Sequence, residues 1–254
     1  MTTGDTPMQT LVNGFEILNE IQESEGARLT DLSTRLNLPP STVHRYLATL
    51  EALEYVIRDG NEYQLSLRFL DHGIHAQNRQ AGFSLFNEKT KEIARQTGER
   101  VQFLVLEYNR AVHICHEVGE KAVQTDSRIG KRVHLHSTAA GKCILASLPA
   151  TERDAILSEI SLPPQTENTI TDREALRGEL EVVADRRYGI NDEERIVGLR
   201  SVGVPIIGKD DSLMGAMSIS GPSNRMLDDR LHSELSQVLL AVADEIKLRL
   251  TYSG

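Results

Sequence analysis

Tryptophan is absent from this chain, cysteine occurs twice, and lysine is scarce, with seven Lys against twenty-one Arg in 254 residues. Each shortage excludes something. Aromatic residues make up 4% of the chain, so its cores must be aliphatic. Two cysteines, Cys115 and Cys143, are too few for a disulfide-stapled scaffold and fit a reducing compartment. No stretch approaches the roughly 18 apolar residues that a membrane span needs. The opening MTTGDTPMQT has neither the basic segment nor the apolar run of a signal peptide. These absences predict a cytoplasmic protein with no membrane partner. The acidic, lysine-poor balance, with a net charge of −9, also suits a salt-rich cytoplasm.

Catalytic motifs are missing as well. Gly141-Lys142 is no phosphate-binding loop, because His136 and Cys143 stand where that motif needs Gly and Ser or Thr. No serine sits in a G-x-S-x-G elbow. Cys143 falls in an apolar helical stretch, which predicts an inert thiol. Glu193-Glu194 beside Arg195 reads as a solvated charge cluster. His113 and Cys115 share a face of a predicted strand, and His134 and His136 share a face before a helix. All four are metal-ligating types, but no tight spacing links the two groups. The expectation is no enzyme, no catalytic residue, no metal and no cofactor.

What is present is a soluble globular composition, 39% hydrophobic and 26% charged, long enough for one large or two smaller domains. Leu11, Phe15, Leu18 and Ile21 recur at helical spacing. A second helix is expected to start at Thr30 as its N-cap. Asn37-Leu38-Pro39 breaks it, because a residue before proline avoids the α region. A third helix then runs from the prolines to about Leu53. Asp59-Gly60 marks a tight hairpin between two short strands. Residues 67–97 read as helical with an interruption near Gly82. Beyond lie strands at 101–108, 111–118 and 122–127, and helices at 138–147, 151–160 and 172–187. Paired strands at 197–207 and 213–220 and a last helix at 228–251 complete the pattern.

The third helix is the most informative element. At 100° per residue, Val43, Tyr46, Leu47, Leu50 and Leu53 fall on one side. Ser41, Arg45, Ala48 and Ala52 fall on the other, flanked by Thr42, Thr49 and His44, with no acid before Glu51. Small residues allow close approach to a major groove, and a guanidinium can grip guanine or a phosphate. Three helices followed by a hairpin form a winged helix-turn-helix pattern. Its expected DNA contacts are Ser41, Thr42, His44, Arg45 and Thr49 from the helix and Arg58 and Asn61 from the wing. Charge opposes this reading: residues 1–75 hold five Arg and no Lys against eleven acids. That excess repels nucleic acid at long range, although a local basic patch survives because salt screens over about 8 Å. The alternative is a metabolite-binding scaffold whose winged domain meets a protein.

The stretch LTDLSTRLNLPPSTVHRYLATLEALEYVIRDGNEYQLSLRFLDHG resembles the DNA-binding domain of the IclR family of transcription regulators. HLHSTAAGKCILA, YGINDEERIVGLRSVGVPI and GAMSISGPSNRM resemble that family's effector domain, in order and over nearly the whole chain. The resemblance implies an α+β protein with a winged helix-turn-helix domain over residues 1–66 and a connecting helix over 67–80. It also implies a GAF-like effector domain over 81–254, with a curved antiparallel sheet. It implies binding to roughly palindromic double-stranded operator DNA as a homodimer or a pair of dimers, under control of a small carboxylate effector. The effector residues it implies are Ala139, Ala140, Asn191, Ser201, Ser218 and Ser220, with Val133 and Leu199 as apolar walls. This chain departs from the family at Asn191, where an acid is common, and at Ser201, where a cysteine is common. The residues themselves point the same way. Ser218 and Ser220 share a strand face, and the small residues from Ala139 to Gly141 open a helix whose free amides suit a carboxylate.

Overall fold

The computed structural model describes residues 7–123 and 125–252. The chain divides into two compact units, residues 1–77 and 78–254. Among the described residues no helix is long and apolar enough to cross a membrane.

In the first unit, α1 (Gln9–Glu23), α2 (Leu29–Arg35) and α3 (Pro40–Ala52) precede a hairpin of β2 (Val56–Asp59) and β3 (Glu62–Leu65). The two-residue strand β1 (Ala27–Arg28) pairs with β3, giving the order β1-β3-β2. The small core is aliphatic, with Ile17, Ile21, Leu32, Val43, Leu47 and Val56 buried around Tyr63. Pro40 occupies the first turn of α3, where its missing N–H costs nothing. The hairpin turn is one residue later than expected: Asp59 pairs with Glu62, so Gly60-Asn61 form the loop. Of these two only Gly60 has positive φ, at 60°, which a glycine-first hairpin turn requires. Thr30 is not an N-cap: α2 starts at Leu29 after an extended Arg28, which makes no side-chain cap. The pairing of Arg28 with Glu62 in the sheet sets that start. Helix α4 (Arg68–Asn78) closes the unit.

The second unit is a six-stranded antiparallel sheet in the order β6-β5-β4-β9-β8-β7. Its strands are β4 (Arg100–Glu107), β5 (Arg110–Val118), β6 (Arg132–Val133), β7 (Gly189–Asp192), β8 (Leu199–Ile207) and β9 (Leu213–Pro222). Helix α5 (Phe83–Thr97) follows Gly82, which has left-handed φ. With α9 (Ser236–Tyr252), entered through a π-helical stretch at Arg230–Leu235, it covers one face. That core includes Phe86, Phe103, Val202, Val204, Met217, Ile219 and Leu239. On the opposite face lie α6 (Ala139–Ser147), α7 (Ala150–Glu159) and α8 (Arg173–Arg186) over Leu104, Leu135, Ile144, Leu157, Leu180 and Ala216.

Three expectations change here. No strand forms among the described residues of 122–127, and Gln124 lies outside them. Their neighbour β6 is only two residues long and starts later, at Arg132. Strand β7, which was not foreseen, is four residues against β8 and too short to show an alternation. Finally, β5 carries a bulge: Phe103 faces Cys115 and Leu104 faces His113, leaving Ile114 extra. A bulge shifts the side-chain period by one. His113 and Cys115 therefore do not share a face. Cys115 packs with the α5 core beside Thr90, and His113 turns to the other side of the sheet.

Candidate effector pocket and nucleic-acid face

The polar end of that other side is the candidate site. Reading across the strands, Asn191 pairs with Ser201, Ser201 with Ser220, and Ser220 with Arg100. One step along, Gly203 pairs with Ser218, Ser218 with Gln102, and Gln102 with His116. On the same strands that present Leu104 and Ala216 to the apolar core, the next residues outward on that face are thus hydroxyls, an amide and a guanidinium.

A small cavity of about 20 Å³ lies over this polar row. Ala139, Ala140, Asn191, Leu199, Ser201, Ser218 and Ser220 all line it, with Gln102, His113, Thr138 and Arg195. Val133 does not. It pairs with Ala111 in β6 and is buried in the apolar core under α6. Strand β6 lies at the opposite edge of the sheet from β7, with β5 and β4 between it and the serines of β9 and β8.

Helix α6 points its first turn at this cavity. Thr138 caps it, its hydroxyl accepting from Gly141 N at 3.1 Å. The close approach depends on two glycines. A Cβ on Gly203 would lie 3.1 Å from Ala140 N, and one on Gly141 would lie 2.2 Å from the Leu135 carbonyl oxygen. Lys142, one turn in, is fully buried and holds the next loop in place. Its ammonium donates to the Ile190 carbonyl at 2.8 Å and to Glu194 at 2.6 Å. Glu194 is therefore no solvated surface acid. Burial raises its pKa, against the opposing pull of the Lys142 charge. Asn191 accepts from Glu194 N at 2.8 Å, fixing the turn from which Arg195 enters the wall. Arg195 pairs with Asp126 at 2.8 Å.

His113 lies in the wall with both ring nitrogens unpartnered. Burial first, then the Arg195 and His116 charges, push its pKa down to about 3. Cys143 sits beneath the site as an inert thiol, donating to the Gly203 carbonyl at 3.0 Å and pushed up to about 12 by burial. His134 and His136 stand apart from His113, their rings edge to face at 5.4 Å and His134 against Arg110. Among the described residues no group of three or more His, Cys, Asp or Glu is arranged to hold a metal.

In the first unit Ser41, His44, Arg45 and Thr49 of α3 are exposed, as are Arg58 and Asn61 of the hairpin, while Thr42 is half-buried. Arg58 donates to the Gly60 carbonyl at 2.9 Å and stacks over Tyr63, which stiffens the tip. The apolar arc of α3 is only partly covered by its own core: Val43 and Leu47 are buried, and Tyr46 and Leu50 are partly buried against it. Tyr46, Leu50 and Leu53 line an open groove of about 790 Å³ with Leu11, Phe15 and Phe69, and Thr42, Arg45 and Thr49 form its rim. Leu53, expected in the core, is mostly exposed, because α3 ends at Ala52.

Known proteins resemble both units. Residues 10–60 match the IclR helix-turn-helix domain, and residues 78–248 match the C-terminal domain of bacterial IclR transcriptional regulators. A relative in Halobacterium salinarum, named "Probable HTH-type transcriptional regulator ArcR", is 34% identical over 245 residues, covering 95% of this chain and 93% of that protein. The crystal structure of the Thermotoga maritima IclR is 31% identical with a TM-score of 0.80, covering 97% of this chain and 100% of that one. An IclR homologue from Microbacterium hydrocarbonoxydans, solved in complex with 4-hydroxybenzoate, shares the fold with a TM-score of 0.77 at 22% identity, covering 95% of this chain and 97% of that one.

Proposed function

Since this chain belongs to the IclR family of transcription regulators, we propose that it binds operator DNA through α3 and the β2–β3 wing and senses a small carboxylate in the cavity under α6. The observation that carries the second half is convergence. Ala139, Asn191, Ser201 and Ser220 come from four separate elements and line one buried cavity. Hydroxyls, helix-terminal amides and small side chains are what a small anion needs. In the first half, Ser41, His44 and Arg45 would meet base edges or phosphates, with Arg58 and Asn61 on the adjoining backbone. The uncovered groove of α1, α3 and α4, with Leu11, Phe15, Leu50 and Leu53 in its lining, supports self-association, which would cover these apolar side chains. A two-fold dimer accounts for a palindromic operator. The protein acts in the cytoplasm, and no enzymatic step or cofactor enters the reading.

Control requires the effector to favour one arrangement of the DNA-binding units, because equal affinity for both shifts nothing. Residues 67–80 would carry that preference as a connecting helix. The test is fluorescence anisotropy on DNA from upstream of the protein's own gene, with a shuffled duplex as control and stepwise KCl. The native duplex should bind at least tenfold tighter, about 1.4 kcal/mol, and Arg45→Ala should abolish that preference. Ser218→Ala and Ser220→Ala should weaken the effector response and leave DNA affinity intact. Equal loss of both properties in the serine variants would overturn the pocket assignment. Equal, weak binding to both duplexes would favour the alternative, a scaffold whose winged domain meets a protein.

A further inference from the structure

The cavity's serine side is only half of what surrounds it. On the same face of the sheet, β4 and β5 present Gln102 and His113, which line the cavity, with Arg100 and His116 flanking them outside its lining. Arg100 is 4% exposed and His113 2%. Polar atoms of all four lack a hydrogen bond: Arg100 Nε and Nη1, Gln102 Oε1, both His113 nitrogens and His116 Nδ1. Buried polar groups are almost always paired, and each exception asks for an explanation. Two of these exceptions, Gln102 and His113, face the cavity and the other two flank them, so this end of the site offers a polar ligand unmet donors and acceptors.

The strand order sets the geometry. The opening amides of α6 rest on Gly203 of β8, and Arg100 and Gln102 stand on β4 with β9 between. Two interstrand spacings, about 10 Å, therefore separate the α6 end of the site from the β4 end, with Ser218 and Ser220 midway. The orphaned atoms are of both kinds. Arg100 offers only donors, Gln102 Oε1 only accepts, and a neutral imidazole does one of each. A hydrocarbon tail would leave all of them unpaired, and a second carboxylate would satisfy the donors but not the acceptors. Hydroxyl groups satisfy both.

Resting on the pocket assignment above, we propose that the effector is a hydroxylated carboxylate, whose carboxylate meets α6 and the serines while its hydroxyls are read by Gln102 and His113, with Arg100 flanking them. Desolvation agrees: burial lowers the pKa of Arg100, and the only charge opposing that shift is Asp126. The present cavity has room for about one water, so a ligand of this size requires the wall that includes Arg195 to part.

Calorimetric titration of the full-length protein tests this with four six-carbon probes: gluconate, hexanoate, adipate and sorbitol. Gluconate should bind at least tenfold tighter than hexanoate, adipate or sorbitol, because each of the others leaves buried groups unpaired. Arg100→Met and His113→Leu should each narrow the gluconate-to-hexanoate ratio severalfold, with circular dichroism confirming that they fold. The wild-type ranking carries the test should a variant misfold. Hexanoate or adipate matching gluconate would overturn the proposal, as would no heat from gluconate at millimolar concentration. If all the acids bind without preference and Ser218→Ala weakens them alike, the pocket stands and only the hydroxyl reading falls. If gluconate is preferred but Ser218→Ala and Ser220→Ala leave its affinity unchanged, the pocket itself is misplaced and the proposal falls with it.

Discussion

The two units of this protein are incomplete in opposite senses. The N-terminal unit leaves large apolar side chains outside, with Phe15 61% and Leu67 84% exposed and Leu11, Leu53 and Leu70 beside them in this respect. The C-terminal unit also exposes single apolar side chains, such as Val197, but what sets it apart is that it encloses polar atoms without partners at Arg100, Gln102 and His113. Uncovered apolar surface calls for a macromolecular partner, because area is what the hydrophobic effect rewards. Orphaned buried polar atoms call for a small polar ligand, because direction and donor count are what hydrogen bonds reward. A regulator that couples DNA to a metabolite needs one deficit of each kind.

That contrast can be broken in three places. The largest effect is expected at Lys142, a buried polar group that does have partners. Lys142→Met strands Glu194 in the interior, and loss of one member of a buried pair costs about 3–5 kcal/mol, which chemical denaturation would read as a lowered midpoint. Next comes Phe15→Glu in the open groove. A charge there should weaken self-association by about a hundredfold, near 2.7 kcal/mol, and sedimentation velocity would show a monomer with poor operator binding. An unchanged oligomer would mean that this face meets something else.

The smallest effect is expected at an orphan. His113→Leu should leave stability unchanged or raise it by up to about 1 kcal/mol at neutral pH, since no hydrogen bond is lost. It should also flatten the acid limb. Above about pH 6.5 this histidine is neutral folded or unfolded and adds no pH dependence. As pH falls, the unfolded chain takes up a proton that the folded site refuses down to about pH 3. Stability then drops by up to about 1.4 kcal/mol per pH unit for this group. Thermal unfolding between pH 7 and pH 4 should be less steep in the variant. A variant that is destabilised at pH 7 would show that His113 has a structural partner after all.

Much of this was legible in the sequence. The order of three helices and a Gly-bearing hairpin follows from spacing, proline and turn chemistry, all local. Ser218 and Ser220 share a face because strand geometry has period two. The same rule misplaced His113, because the bulge at Ile114 resets the period and nothing in RAVHICHEV announces it. Val133 was assigned to the pocket wall, yet β6 sits at the opposite edge of the sheet from β7. Glu194 looked like surface charge beside Glu193 and Arg195, and its burial depends on Lys142 arriving from 52 residues away.

The sequence by itself determined most of the elements, the family and the chemical character of the candidate site, because helix faces, turns and short motifs are properties of neighbouring residues. Only the tertiary structure decided which residues meet. Strand order brings Asn191, Ser201, Ser220 and Arg100 into one row, and a bulge aims His113 at them. Pairing across a sheet depends on contacts between residues far apart in the chain, and these no local pattern encodes. The same is true of the deficits, since an orphaned atom or an uncovered leucine is defined by what the rest of the fold fails to bring.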